Sequence, residues 1–388
     1  MNMDTQTFKW EVDTCAYGFE LDPRAYAPMK TLMRDNSLYD AQGREIAGFY
    51  SPFGAAWGRG SDLMGGPSKE KGAPLPKRLK LTYYDYLYNR FYQLDTELPL
   101  ARLHALFSQK SVDKDNNYGQ VRPRFEILRV GVAPDGYVML WASGYTDSQV
   151  ELGSYRAKEL TGITPKSYNE SLDRGFKLIE DQFEGLRDGR VKAEAWARIQ
   201  AGWRPDPMHY MRDIRVKYPW KYKLTGAAAR IVELISAQGD QQSEGVGAWE
   251  MGAYQDSRAL RGVPEAAKFW FLDHAGKRHH LWLRFWRRER ALSEADLSEV
   301  FATFESMFGK YKPEDDFKVL NPEDWGTVEV HVGEDFKTFS ATLVRGNKRV
   351  PLPVGRTQYF PLNPHAHWPE QATPAPDVVK LFQEGPPK

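Results

Sequence analysis

The stretch Leu81-Thr82-Tyr83-Tyr84-Asp85-Tyr86-Leu87-Tyr88-Asn89-Arg90-Phe91-Tyr92 constrains this chain more than any other. Its aromatic density favours a strand, because flat rings fit a pleated, half-buried surface. Alternation places Tyr84, Tyr86, Tyr88 and Tyr92 on one face and Tyr83, Leu87 and Phe91 on the other. A strand with rings on both faces must be covered on both sides or use one side for contact. With 12 Trp, 20 Tyr and 20 Phe in 388 residues, the chain is too aromatic to be disordered throughout. At roughly 150 residues per domain, its length points to two or three domains.

The remaining pattern predicts α+β architecture: antiparallel sheets, helices packed on one face, two similar halves. Residues 43–78 hold too many Gly and Pro for a helix or a long strand and are predicted as a long loop. Pro99 to Phe107 is predicted as a helix with proline in its first turn and a Leu100, Leu103, Leu106, Phe107 stripe. Pro134-Asp135-Gly136 between two apolar runs predicts a hairpin. Spacings of three and four from Leu172 to Leu186 predict a helix, and Val191 to Trp203 a second, ended by Pro205 and Pro207. In the second half, Tyr218 to Leu224 is predicted as a strand and Ala227 to Ala237 as a helix. Lys268–Leu272 and His279–Trp286 form a hairpin around Asp273–Lys277, and a helix starts after the N-cap Ser293. Strands follow from Thr327 to Pro353, with Arg345-Gly346-Asn347-Lys348 as a tip. Each half thus reads strand, helix, hairpin, helix. The predicted domains are 1–205, 206–354 and a Pro-rich extended tail, 355–388.

Several chemistries lack their residues. Lys and Arg number 53 against 52 Asp and Glu, so a net charge of +1 gives no field to draw the chain onto nucleic acid. A single cysteine, Cys15, excludes an internal disulfide framework and a multi-cysteine zinc site. Asp113, Asp115 and Asn117 imitate the start of a calcium loop, but positions six and twelve are Tyr118 and Arg124 where Gly and Glu are needed. His279 and His280 are adjacent, so on a strand they face opposite ways and cannot chelate together. His365 and His367 have no nearby third ligand. No Gly-x-Ser-x-Gly elbow, Rossmann glycine pattern or phosphate loop occurs. The expectation is therefore no metal, no cofactor and no enzymatic activity. No apolar run approaches the ~20 residues of a transmembrane helix. The first residues lack a basic and an apolar segment, so no secretory signal is expected in the chain as it stands.

Two contact surfaces remain. In His280-Leu281-Trp282-Leu283-Arg284-Phe285-Trp286, alternation puts His280, Trp282, Arg284 and Trp286 on one face. Such a face stacks guanidinium on indole and is rich in the residue types of interface hot spots. The ordinary alternative is an outer sheet face above a Leu281, Leu283, Phe285 core. The second surface is the tyrosine strand with Tyr84, Tyr86 and Tyr88, beside the loop aromatic Trp57, which either joins the core or presents a contact.

The segments Leu75-Pro76-Lys77-Arg78-Leu79, Arg90-Phe91-Tyr92, Glu97-Leu98-Pro99 and Val130 to Trp141 resemble a bacterial family of unknown function, often found as lipoproteins. Members commonly lie beside type VI secretion lipase effectors, and some resemble the immunity proteins for those effectors. The resemblance covers roughly residues 75–160. It implies a non-enzymatic periplasmic protein that binds a secreted phospholipase and covers its active site or its membrane-docking surface. Without an export signal, a cytoplasmic site is the alternative. The competing functions are a hydrolase using the 43–78 loop as a lid and a carbohydrate-binding module.

Overall fold

The computed structural model describes residues 6–16, 29–31, 36–49, 65–67, 72–85, 90–112, 121–144, 148–164, 167, 201, 215–238, 243–246, 251–256, 259–285, 294–312, 320–355 and 357–361. The predicted helices between 171 and 203, the calcium-like loop at Asp113–Asn117 and the tail beyond 361 lie outside them. The chain divides into two compact units. One comprises Met1–Ser108, Glu126–Ser143 and Val150–Pro207; the other comprises Gln109–Phe125, Gly144–Gln149 and Met208–Lys388.

The strands of the first half are β1 (Thr7–Phe8), β2 (Glu11–Ala16), β3 (Met29–Thr31), β4 (Ser37–Tyr39), β5 (Glu45–Gly48), β6 (Ala73–Pro74), β7 (Arg78–Asp85) and β8 (Arg90–Glu97). Helix α1 (Leu100–Phe107) follows, then β9 (Lys110–Val112), β10 (Val121–Pro123), β11 (Ile127–Val132), β12 (Tyr137–Ser143), β13 (Gln149–Arg156) and β14 (Lys158–Leu160). One sheet of the first unit runs β14-β8-β7-β4-β5, with β3 also on β7. Another run of strands is β2-β11-β12-β13, in which β2 lies parallel to β11. The Tyr83 hydroxyl donates to the Ala133 carbonyl at 3.0 Å, joining β7 to the end of β11. The Trp10 indole N–H donates to the Pro74 carbonyl at 3.2 Å, and Phe8 meets Phe107 of α1 edge-on at 6.5 Å.

The second half holds β15 (Lys217–Tyr218), β16 (Trp220–Gly226), β17 (Ala228–Gln238), β18 (Ser243–Val246), α2 (Met251–Asp256), β19 (Arg261–Gly262), β20 (Pro264–Asp273) and β21 (Arg278–Arg284). Then come α3 (Glu294–Phe308), β22 (Gly326–Val332), β23 (Phe339–Arg345), β24 (Lys348–Leu352) and β25 (Thr357–Pro361). Its strands run β18-β17-β20-β21-β25 and β16-β22-β23-β24, with β16 parallel to β22. Tyr222 of β16 lies 5.2 Å from Phe269 of β20 and 6.0 Å from Phe285, so the two sets of strands share one core. Phe304 of α3 packs 5.7 Å from Tyr218 and 5.8 Å from Trp220.

The predicted α+β class is overturned: the fold is mostly β, with several antiparallel and mixed sheets, and not helices layered on a sheet. Three expectations fail with it. Ala227 to Ala237 is not a helix but most of β17. Its alanines favour a helix locally, yet the segment pairs with β18 on one side and β20 on the other, and burial between two partners outweighs propensity. The segment 81–92 is not one strand, because the chain reverses between Asp85 and Arg90 and sets Tyr83 opposite Tyr92, rings 5.3 Å apart. Nor is 43–78 loop throughout: β5 and β6 lie in it, Phe49 is buried, and Gly65 bridges to Val12.

Turn chemistry was legible. Between β11 and β12, Asp135 and Gly136 take left-handed φ values of 59° and 82°. A Cβ on Gly136 would meet the Ala157 carbonyl oxygen at 2.7 Å and the Tyr92 ring at 3.1 Å. Gly276 is equally left-handed but open around its Cα. We expect Gly136→Ala to lower stability by about 2–3 kcal/mol, from collision added to the backbone penalty. Gly276→Ala should cost about 1 kcal/mol, from the backbone alone. Urea unfolding of the two variants checks the difference; equal losses would contradict it.

Candidate functional site

The hairpin β20–β21 sorts its residues by strict alternation. Ala267, Phe269 and Phe271 of β20 and His279, Leu281 and Leu283 of β21 are at most 1% exposed and face the core. The intervening Lys268, Trp270, His280, Trp282 and Arg284 are half-buried on the opposite face. Cross-strand register sets Lys268 against Trp282 and Trp270 against His280. The guanidinium carbon of Arg284 lies 4.5 Å from the Trp282 ring centre, and the Lys268 ammonium 5.9 Å from it. His280 stacks on Trp270 at 4.6 Å, 18° from parallel. Burial, and then the Lys268 charge, hold the His280 imidazole down to about 4 from an ordinary 6.5. The stack is therefore a neutral ring on a ring at neutral pH, bordered by two cations that share one indole.

Behind this face, His279 makes a different cluster. Its Nε2 lies 2.9 Å from Asp273 Oδ2 and its Nδ1 2.7 Å from the Tyr359 hydroxyl. One assignment satisfies both contacts: Nε2–H donates to the carboxylate and Tyr359 donates to Nδ1. Phe336 stacks on the imidazole at 4.4 Å and Phe271 at 5.1 Å. Asp273 also accepts from the Ala275 and Lys277 amides at 2.9 and 2.7 Å, closing the hairpin turn. Burial opposes the Asp273 charge, but these hydrogen bonds and His279 outweigh it and hold the carboxyl below its usual value. Burial and the Asp273 charge push the Tyr359 hydroxyl up. Both imidazole nitrogens are engaged and the ring is 1% exposed, so this histidine fastens β25 to β21 and does not meet a solute.

Of the residues expected at a contact surface, Trp282 and Arg284 come together as anticipated from alternation. Trp57, Tyr86, Tyr88 and Trp286 lie outside the described residues. Tyr84 is corrected: at 1% exposure, 4.6 Å from Phe91, it belongs to the interior of the first unit and offers no surface. Lys268 and Trp270 were missed. The hairpin turn at Asp273–Lys277 was recognised, and pairing outward from it would have placed both. Among the described residues no group of three or more His, Cys, Asp or Glu converges as a metal site, and no helix is long and apolar enough to cross a membrane.

The fold and this face define a mostly β protein of two units with an aromatic–cation patch on one hairpin. The chain belongs to a protein family of unknown function, DUF2931, whose model matches residues 2–210. No curated protein and no solved structure matches it.

The depressed His280 gives a signed pH dependence. As pH falls below 6.5 the unfolded chain takes up a proton that the folded chain resists until about 4. Stability from this group is intact above that window and declines through it, by on the order of 1–3 kcal/mol. His280→Phe keeps a ring against Trp270 and should lose that part of the acid sensitivity. Urea midpoints measured in steps across the window test this; parallel curves for both proteins would refute it.

Proposed function

We propose that this chain is a non-enzymatic binding protein, and that it neutralises a secreted type VI phospholipase effector by covering its active site or its membrane-docking surface. The observation that supports binding is the Trp282 cluster, an indole flanked by Arg284 and Lys268 on a rigid hairpin, turned away from the core. Trp and Arg dominate the energetics of protein interfaces because they remove large areas from water while keeping a polar handle. A hairpin locked by paired strands on both sides loses little freedom on association. The effector as partner, and the periplasm as the place of meeting, come from the resemblance of roughly residues 75–160 to immunity proteins. That stretch lies inside the family match. A carbohydrate-binding module would need Trp282 to offer a bare ring to a sugar, whereas Arg284 already lies over that ring.

Co-expression with a type VI phospholipase effector should yield a stable complex and a stoichiometric loss of phospholipase activity. Trp282→Ala should weaken that complex by at least about 2 kcal/mol, near thirtyfold, in calorimetric titration. No complex, together with no protection of intoxicated cells, would sink the reading.

A further inference from the structure

Strand for strand, residues 215–361 follow the plan of residues 6–160. The orders β14-β8-β7-β4-β5 and β25-β21-β20-β17-β18 correspond, as do β2-β11-β12-β13 and β16-β22-β23-β24. In both, the first long strand lies parallel to a strand more than 100 residues later, which no local hairpin produces. Both carry a two-residue ladder, β1 with β6 and β15 with β19, and both place a helix between the central hairpin and the last meander. Among the described residues, strand β3, the hairpin β9–β10 and helix α2 have no counterpart. Two unrelated chains can share a topology; they have no reason to share register, turn conformation and single hydrogen bonds as well.

Register extends the match to single residues. Phe8 and Tyr218 hold the same place in the short ladder. The first packs on His104 and Phe107 of α1 at 5.2 and 6.5 Å, the second on Phe304 and Phe308 of α3 at 5.7 and 5.3 Å. Trp10 and Trp220 each stand two positions past that ladder, and each donates its indole N–H back to it, to Pro74 at 3.2 Å and Gly262 at 3.1 Å. Counting on from those acceptors aligns Leu75-Pro76 with Val263-Pro264 and ends by aligning Asp85 with Asp273, without a gap. Across the central hairpin Tyr83 faces Tyr92, rings 5.3 Å apart and 30° from parallel; the aligned Phe271 and His279 lie 5.1 Å apart at 22°. The Leu98 amide bonds to the Lys77 carbonyl, and the Phe285 amide to that of Glu265, its aligned residue. The pair Asp13–Arg129, at 3.2 Å, is met by Lys223–Glu329, at 3.8 Å, with the charges exchanged.

The turns after β11 and β22 agree too. The Ala133 amide bonds to the Tyr137 carbonyl and the Gly333 amide to that of Thr338, both at 2.8 Å. Asp135 and Asp335 follow two residues on, and after them Gly136 at φ 82° and Phe336 at φ 52° are both left-handed. Gly136 backs onto Tyr92, and Phe336 stacks on His279, the residue aligned with Tyr92. The outward faces diverge. Arg78 and Lys80 meet Asp95 at 2.5 and 3.8 Å, whereas Ala266 and Trp282 stand at the positions aligned with Arg78 and Asp95, and Lys268 keeps the lysine. We propose that residues 215–361 are a second copy of the family domain, produced by internal duplication and lying beyond residue 210, where the family match stops. The chain is then a tandem of two such domains, and the Trp282 face is a specialisation of the second. This duplication stands apart from the binding function above, since it needs no partner.

The test adds a hydroxyl at either of two core positions of the second copy, in the full chain. Tyr83 donates to the Ala133 carbonyl at 3.0 Å, and the residues aligned with this pair are Phe271 and Gly333. The Gly333 carbonyl takes the Phe336 amide at 2.9 Å and keeps a second lone pair. In Phe271→Tyr the new hydroxyl therefore finds that carbonyl, and the melting temperature stays within about 3 °C of the wild type. Phe269 is aligned with Leu81, where the first copy places no hydroxyl. Phe269→Tyr should melt at least about 5 °C lower, from a buried hydroxyl without a partner. Phe271→Tyr melting as low as Phe269→Tyr would overturn the duplication, and so would failure of both to fold. A second pair of variants reads the turn. Phe336→Gly introduces the first copy's residue, while Phe336→Ala loses the same ring but keeps a Cβ at a left-handed φ. The glycine variant should melt about 3 °C above the alanine variant. Equal melting, or alanine the higher, would overturn the match of the turns and with it the duplication. No partner enters either measurement, so these outcomes are independent of the effector titration.

Discussion

Register in the β20–β21 hairpin is the constraint on which the rest depends. Facing pairs such as Phe269 with Leu281 lie inside, and the next pair, Lys268 with Trp282, lies outside. A slip of one residue would exchange the two sets, burying an ammonium and exposing two large apolar side chains. Burying an unpaired charge costs several kcal/mol, and each large apolar side chain left in water forfeits about 2 kcal/mol. No functional selection is needed to fix this register; the core fixes it, and the outward residues become free to vary. Asp273 adds a local lock by taking two turn amides on one oxygen while holding His279 with the other.

That separation explains what could be read from the sequence. Turns were legible because their chemistry is local: Pro134-Asp135-Gly136, Asp273 to Lys277 and Arg345 to Lys348 each join paired strands. Helix α1 was legible from a proline start and a regular apolar stripe, and α3 from the serine, Ser293, that precedes it. Strand β17 was not, because Ala-Ala-Arg-Ile-Val-Glu-Leu carries no alternation when both of its faces are covered. The parallel pairing of β2 with β11 has no local signal at all. Likewise Tyr359 reaches His279 from 80 residues away, so the cluster fastening β25 could not be foreseen from either segment. On the outward face of the β20–β21 hairpin, Trp282 and Arg284 followed from alternation alone, while Lys268 and Trp270 required the cross-strand register.

The same separation accounts for a family match that stops at residue 210 while the aligned strands continue. Interior positions of the two halves exchange one apolar residue for another: Leu79 for Ala267, Leu81 for Phe269, Tyr83 for Phe271. Such swaps keep a β core folded provided volume is recovered nearby. They erase residue identity, however, and with it most of what a family model recognises. Hydrogen-bond geometry is less forgiving. The indole of Trp10 or Trp220 must reach a carbonyl of the short ladder, and both tryptophans persist.

The exchange of Gly136 for Phe336 shows how such divergence is stabilised. A bulky residue at φ 52° carries a backbone penalty of about 1–3 kcal/mol that glycine avoids. Phenylalanine offsets it by stacking on His279 at 4.4 Å and lying 5.7 Å from the Tyr359 ring, contacts a glycine cannot make. Aromatic pairs contribute about 0.5–1.5 kcal/mol each beyond burial, so two of them roughly balance the strain. His279 is the residue aligned with Tyr92, and its two hydrogen bonds fix the plane on which Phe336 rests. The cluster thus ties β25, the turn before β23 and the hairpin turn into one block. A face of Trp and Arg binds well only if its strands do not shift under load, and this block holds β21, the strand that carries both, from behind.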